Sequence, residues 1–419
     1  MIIFSMNRDN SELYNSDEYI SDDESTVNLE SQILNNRYIC LMFLSNGSFS
    51  SVWLVYDIID FNLKSAKIFY KSPDEFNNEK QIFEKLDTCN KNIVKCIDIF
   101  EEDGLMVIVT ELLGISLLDI INDMNSNNYT LFTPNIKYIF YQILNGMNEL
   151  HSKGVIHADI KPDNILLNIL PNNIKIVSEF ISKLNIFDVY NQIQSQLMPE
   201  DFELFNRNKK KMVKRKIKQK TYKLIRDYLF KKIDFSNIQK LERNYDVDRI
   251  LEHKFIIKII DFSNSELEDH ISQNELYIRC YRPLENIINI DYNKKSEIWA
   301  IGCLFYEMIT GLPLFQIKRY NTETETNKNH IYTILETFKH QSYKDIIEGS
   351  DFYDIFFIND ELKNKPRYDV LDFKQKLIQN SNIEFDIDEM YQFLSCFFIY
   401  NINLRPDCRI LLNHTFFNR

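Results

Sequence analysis

The chain has 419 residues and a formal net charge of −12 at pH 7. Hydrophobic residues make up 44% of it while Gly and Pro number only 8 and 9, which excludes collagen-like, low-complexity and wholly disordered classes and leaves material for a sizeable core. The acidity speaks against a general nucleic-acid binder and is compatible with a basic protein partner drawn in by long-range attraction.

Residues 1 to 35 are acidic and rich in Ser and Asn, with Asp17, Glu18, Asp22, Asp23 and Glu24 and no helix or strand periodicity, so a disordered tail is expected. Alternating or apolar runs follow at 39–45, 52–59, 63–70, 94–100 and 105–111 and predict five strands, with one helix from Phe76 to Leu86 among them. Past Gly114 the pattern turns helical. Thr133-Pro134 reads as a helix start, and Ile136, Ile139, Phe140, Ile143, Leu144, Met147 and Leu150 recur at helical spacing. SEIWAIGCLFYEMITG, 296 to 311, is apolar nearly all round and predicts a buried helix with Trp299 in the core. The seven cysteines are scattered, with no CxxC pair, and predict free thiols in a reducing compartment. MIIFSMNRDNSEL at the start has no basic n-region, and no run of eighteen apolar residues occurs. An intracellular, soluble monomer without membrane attachment is expected, cytoplasmic and with the nucleus as second compartment.

The stretch HADIKPDNILL, His157 to Leu167, carries the chemistry. Asp159 can accept a hydroxyl proton, Lys161 can neutralise charge on a moving phosphoryl group, and the Asn164 carbonyl can ligate magnesium. A DxKxxN spacing also occurs in ordinary polar loops, so the flanks decide. A helix precedes it, the short apolar run Ile165 to Leu167 follows, and IIKIIDFSN, Ile256 to Asn264, supplies Asp261 where a second metal ligand belongs. Together these segments resemble the catalytic loop and DFG segment of the protein kinases.

That resemblance implies an α+β, two-lobed protein-kinase fold: a small five-stranded N-lobe with one main helix and the hinge over 36–114, and a larger helical C-lobe over 115–419. It implies ATP and Mg2+ as cofactors and protein substrates as partners. LSNGSFSSV, Leu44 to Val52, stands where the family has GxGxxGxV, with Ser45 and Ser50 in place of the outer glycines and Gly47 retained. Leu44, Ser45, Asn46, Gly47, Ser48, Phe49, Ser50, Ser51 and Val52 would then cover the nucleotide, although alone the segment reads as an ordinary hairpin turn. Lys67 matches the lysine of VAIK, with Ser65 for the usual alanine, and Glu79 matches its helix partner. VTELLG, 109 to 114, matches the hinge, with Thr110 as gatekeeper, backbone groups of Glu111 and Leu113 for adenine, and Leu44, Val52 and Leu166 around the ring. In this alignment Asp159 is the base, Lys161 meets the γ-phosphate, and Asn164 and Asp261 hold the metal. IRCYRPLENI matches the segment ending in APE, which pairs Glu285 with Arg405. Lys161 implies serine/threonine specificity. Ala158, where many kinases carry Arg, implies turnover that does not depend on activation-loop phosphorylation.

A closer resemblance is to the SR-protein kinases, which phosphorylate serines in Arg-Ser repeats. It rests on Asn36-Arg37-Tyr38 before the loop, Ser50 followed by Val52-Trp53, ELLG at the hinge, HxDIKP, and a long spacer before Asp261. Arg/Ser-rich substrates are thereby implied. The spacer, 168 to 254, contains KKKMVKRKIKQK, Lys209 to Lys220; a solvated, partly helical insertion is the favoured reading over a localisation or nucleic-acid patch. Three departures would each lower the rate: Ser263 for the DFG glycine, Ile278 for a threonine, and Glu297 for an Asp that braces the catalytic loop. They motivate the alternative of a pseudokinase scaffold that binds protein partners without efficient catalysis. The family's acidic docking motif reads TNKN here, and Glu323, Glu325, Glu336, Asp345 and Glu348 are read as a solvated face rather than its replacement.

Overall fold

Alternating apolar side chains give a strand two usable faces, and both are used here. The computed structural model describes residues 28–47, 50–70, 72–86, 90–127, 133–241, 255–269, 278–290, 292–381 and 386–418. Its described part divides into two compact units: one formed by the chain up to Ile115 together with Leu166–Ser263, the other by Ser116–Ile165 and Asn264–Arg419. In the first unit β1 (Ile33–Leu34), β2 (Tyr38–Asn46), β3 (Ser50–Asp57), β4 (Asn62–Phe69), β5 (Cys96–Glu102) and β6 (Leu105–Glu111) form an antiparallel sheet in the order β1-β2-β3-β4-β6-β5. The five expected strands are present, and the two-residue β1 adds a sixth. Helix α1 (Pro73–Leu86) opens on Pro, Asp74 and Glu75, residues that suit a helix N-terminus, and buries Phe76, Glu79, Ile82, Phe83 and Leu86.

The end of the expected tail is structured. Leu29 and Leu34 are buried, and Ile33 and Leu34 pair with Ile39 and Tyr38. Averaged composition hid two apolar residues, Leu29 and Leu34, that one sheet face needed; residues 1–27 lie outside the described residues. With Tyr38, Cys40, Trp53, Val55, Ala66, Ile68, Val107 and Val109 they form one apolar cluster.

The insertion accounts for the opposite face. Its helices Asn172–Lys183, Ile186–Leu197, Arg207–Lys232 and Phe235–Gln239 contribute Ile174, Val177, Ile181, Ile186, Tyr222, Ile225, Leu229 and Phe235 to a cluster with Ile39, Leu41, Met42, Leu54, Tyr56 and Ile58. Each fully buried side chain of this kind contributes about 1.5–3 kcal/mol relative to exposure. The insertion is therefore a structural cover rather than a solvated excursion. It belongs to the sheet unit, not to the helical part in which chain order had placed it. Its final stretch, 242–254, lies outside the described residues.

The second unit is built around Ser296–Thr310, in which every residue is buried. Helix Thr133–Ser152 packs on it through Phe140, whose ring stacks on Phe305 with centroids 3.7 Å apart. Trp299 is in the core, as expected. The central helix stops at Gly311, whose φ of 69° favours glycine and where a Cβ would lie 2.1 Å from Asn125 Oδ1. Short strands Val155–Ile156 and Glu266–Leu267 pair antiparallel and tether the chain on either side of the insertion. No helix among the described residues is long and apolar enough to cross a membrane.

Candidate active site

In the sheet unit three residues far apart in sequence converge. Lys67, in the middle of β4, donates from Nζ to Glu79 Oε2 and to Asp261 Oδ1, both at 2.7 Å. Burial pushes the Glu79 carboxyl above its ordinary range, an effect the Lys67 charge only partly offsets. Asp261 also suffers burial, but the Lys67 charge, the Lys67 hydrogen bond and two from Ser263 outweigh it and hold the carboxyl well below the usual range. The two carboxylates in turn hold the Lys67 ammonium above its ordinary pKa despite burial.

Helix α1 is fastened to this centre at three levels. Besides Glu79, Phe83 meets Phe262 edge-on with centroids 5.3 Å apart, and Asn78 Nδ2 donates to Ser263 O at 2.8 Å. Asn78 escaped the sequence reading because its acceptor lies 185 residues away. Ser263, read as a departure that lowers the rate, donates from Oγ to Asp261 Oδ1 at 2.6 Å and from its backbone N–H at 3.3 Å. Asp261 Oδ1 thus takes Lys67 and both Ser263 donors, while Oδ2 accepts none among the described residues. One oxygen faces the protein and one is left for a cation.

The loop between β2 and β3 is a tight hairpin, with Gly47 N–H donating to Ser50 O at 2.8 Å and Ser45 opposite Val52. Ser45, Asn46 and Gly47 are exposed, Ser50 and Ser51 buried, Leu44 and Val52 half-buried; Ser48 and Phe49 lie outside the described residues. A Cβ on Gly47 would meet Ser50 Oγ at 3.5 Å and Ser50 O at 3.8 Å, both ordinary contacts. At the hinge, Glu111 N–H donates to Lys95 O at 3.1 Å, whereas neither peptide group of Leu113 is engaged among the described residues. The Glu111 carboxylate is occupied by Lys95 N–H and the Lys258 ammonium, at 2.7 and 2.8 Å. Gly114 donates to Leu167 O at 2.8 Å, and a Cβ would lie 1.5 Å from Ile169 O, so no side chain fits. Leu166 is half-buried beside this contact.

The helical unit holds the remaining expected groups in one loop. Lys161 Nζ sits 2.9 Å from Asp159 Oδ2, and Asn164 Nδ2 donates to the same oxygen at 3.0 Å and to Asp159 O at 2.8 Å. Asp159 Oδ1 and Asn164 Oδ1 accept no hydrogen bond among the described residues, which leaves one oxygen for a substrate proton and one for a cation. The loop hangs on Glu297. This fully buried carboxylate accepts from His157 N–H at 3.0 Å and Ala158 N–H at 2.7 Å, and His151 Nε2 lies 2.9 Å away. Ala158 has φ 66°, a strained value for a residue with a Cβ, and the Glu297 bond holds it there. Glu297 therefore braces the loop. His151, like Asn78, escaped the sequence reading; its partner is 146 residues away.

Arg405 makes the expected buried pair with Glu285, at 2.7 and 3.2 Å, and also donates to Ile399 O and Lys295 O, both at 2.9 Å. Glu323 is engaged by Arg279, which also donates to Asn327 Oδ1 at 2.7 Å. It is not a free acidic side chain.

The open oxygens of Asn164, in the helical unit, and of Asp261, in the sheet unit, are each of the hard type that a cation such as Mg2+ takes. No cluster of three or more His, Cys, Asp or Glu suited to a metal occurs among the described residues.

The protein kinase domain family matches residues 38–181 and 244–417, and the chain belongs to that family. It is 24% identical over 306 residues to the serine/threonine-protein kinase Doa of Drosophila melanogaster, covering 71% of this chain and 28% of Doa. It is 24% identical over 326 residues to human dual specificity protein kinase CLK4, covering 74% and 52%, and 26% identical over 347 residues to the serine/threonine-protein kinase SRPK of Physarum polycephalum, covering 79% and 74%. The chain thus spans less than two thirds of the length of Doa and CLK4. A solved kinase domain shares the fold with a TM-score of 0.63 at 20% identity, covering 93% of this chain and 97% of that one.

Proposed function

We propose that the chain is an active serine/threonine protein kinase that transfers the γ-phosphoryl group of Mg-ATP to protein hydroxyls. The observation that carries this is the state of the polar side chains: Lys67 is charged and aimed by two carboxylates, while one oxygen each of Asp159, Asn164 and Asp261 remains open. Asp159 accepts the substrate hydroxyl proton, Lys161 offsets charge on the transferring group, and Lys67 meets the α- and β-phosphates. Asn164 and Asp261 would hold Mg2+, which when bound neutralises charge developing on the phosphate oxygens. The scaffold alternative ranks second because none of these groups is lost.

Arg/Ser-rich proteins are the proposed substrates, supported by the SRPK relative and by the shared sequence details around the hinge and catalytic loop. Engagement of Glu323 by Arg279 removes one acidic candidate, so capture of such substrates falls to other carboxylates. Action as a monomer, in the cytoplasm and nucleus, belongs to the same proposal, as does turnover that survives phosphatase treatment. Phosphate transfer from labelled ATP should be measured on an Arg-Ser octapeptide repeat and on a repeat with Arg replaced by Gln. Wild type should favour the first, and Asp159→Asn should lose about 10²–10⁴ in turnover on either. Equal rates for wild type and Asp159→Asn would leave the scaffold reading standing.

A further inference from the structure

The helix Arg207–Lys232 has no role in the chemistry above, and it lies within residues 182–243, which the family match skips. It carries thirteen Lys and Arg against the single Asp227. The helix therefore bears +12, so a chain of net −12 bears −24 outside it. Charge is segregated, not balanced.

Only one end of the helix is anchored. Ile217, Thr221, Tyr222, Ile225 and Leu229 are buried, and Tyr222, Ile225 and Leu229 seat the C-terminal part on the sheet cluster, whereas no residue from 207 to 216 is buried. Among the described residues the only acidic partners of its cations are Glu203, 2.6 Å from Lys210, and Asp227, beside Arg226 at 2.7 Å. Lys211 and Arg215, and Lys216 and Lys220, stand one turn apart and repel each other.

The side-chain chemistry selects among anionic partners. Ten of the thirteen cations are lysines, flexible point charges that suit phosphates in no fixed arrangement. Protein interfaces deplete lysine at their core and favour aromatic residues and arginine. A helix lying in a membrane surface needs a free apolar stripe, and here that stripe is buried on the sheet. Single strands call for exposed aromatic platforms. The nearby rings of Phe205 and Phe202 are instead covered by Lys209 at 3.5 Å and by Lys210 and Lys214 at 5.5 and 5.7 Å. We propose that the free half of this helix binds the sugar-phosphate backbone of a nucleic-acid duplex without reading its sequence. About 15 Å of cationic helix, at about 1.5 Å per residue, faces a rod with one charge per roughly 1.7 Å of axis.

The test is fluorescence anisotropy of the full chain with a labelled duplex DNA of arbitrary sequence. Neutralising about five phosphates predicts a roughly 500-fold loss of affinity between 50 and 200 mM salt. The four-site variant Lys211→Glu, Arg215→Glu, Lys216→Glu and Lys220→Glu should bind at least 100-fold more weakly at 50 mM salt, with unchanged melting temperature and phosphate transfer. Glutamine at the same four positions should lose less. The proposal is overturned if wild type does not bind at 50 mM salt, if affinity ignores salt, or if the well-folded glutamine and glutamate variants bind like wild type. Tighter binding to poly-glutamate, single strands or anionic vesicles than to the duplex would equally overturn it.

Discussion

The two clusters of polar side chains, one in each unit, are built on opposite plans. Lys67, Glu79 and Asp261 come from a strand, a helix and a loop separated by 12 and 194 residues, so their geometry exists only while α1 is docked. Asp159, Lys161 and Asn164 fall within a six-residue stretch and wire themselves together, and the loop as a whole depends on one buried carboxylate, Glu297. The first plan makes a catalytic group conditional on the position of an element. The second makes it permanent and places the vulnerability in a bracing residue.

That contrast is broken most severely by Glu297→Ala, which strands the His157 and Ala158 amides and His151 in a buried site. We expect a loss of about 3–5 kcal/mol in urea unfolding, together with most of the turnover. A variant of near wild-type stability would show that the brace is dispensable. Glu79→Gln should act more mildly and differently: kcat/KM falls about 10–100-fold, which corresponds to about 1.4–2.7 kcal/mol, while the melting temperature moves little. Comparable losses of stability in the two variants would erase the distinction.

The buried carboxylates of helix Ser296–Thr310 sharpen it further. Glu297 meets three hydrogen-bonding groups, but among the described residues Glu307 accepts only from Tyr281 Oη and leaves Oε1 buried without a partner. Burial pushes the Glu307 carboxyl from 4.5 up to about 8. Because the folded-state value is raised, the native protein must retain a proton that the unfolded chain releases. This contribution is fully present below about pH 4.5 and is lost as pH rises to about 8, at up to about 1.4 kcal/mol per pH unit. Glu307→Gln removes that slope. Unfolding free energies measured from pH 5 to 9 should shift progressively in favour of the variant and level off above about pH 8, whereas parallel curves would refute the assignment.

What the sequence disclosed follows the same division. Asp159, Lys161 and Asn164 are legible because their chemistry is local. Lys67 and Glu79 are legible through their order and the family resemblance. The supports, by contrast, are long-range: Asn78 to Ser263, His151 to Glu297, and Leu29 and Leu34 against the sheet. Nor did the insertion announce that it covers a sheet face, because thirteen cations obscure the Ile217, Thr221, Tyr222, Ile225 and Leu229 stripe. Periodicity shows that a face exists; it does not show what the face meets.

Ser263 is the smallest and most discriminating test. Its hydroxyl and Lys67 both occupy Asp261 Oδ1, which orients Oδ2 outward, so the serine acts as a positioning residue. Ser263→Ala deletes the hydroxyl while keeping the Cβ, and Ser263→Gly also frees the backbone. Asp261 is partly exposed and keeps Lys67 in both variants, so the expected change is about 2- to 5-fold, equivalent to about 0.4–1 kcal/mol. It should appear as a higher Mg2+ concentration for half-maximal activity with kcat nearly unchanged, and Ser263→Thr should restore the wild-type value. If both deletions lower the Mg2+ requirement instead, the hydroxyl competes with the cation for the carboxylate. Ser263 would then be a brake on the cluster that α1 assembles, not a support for it.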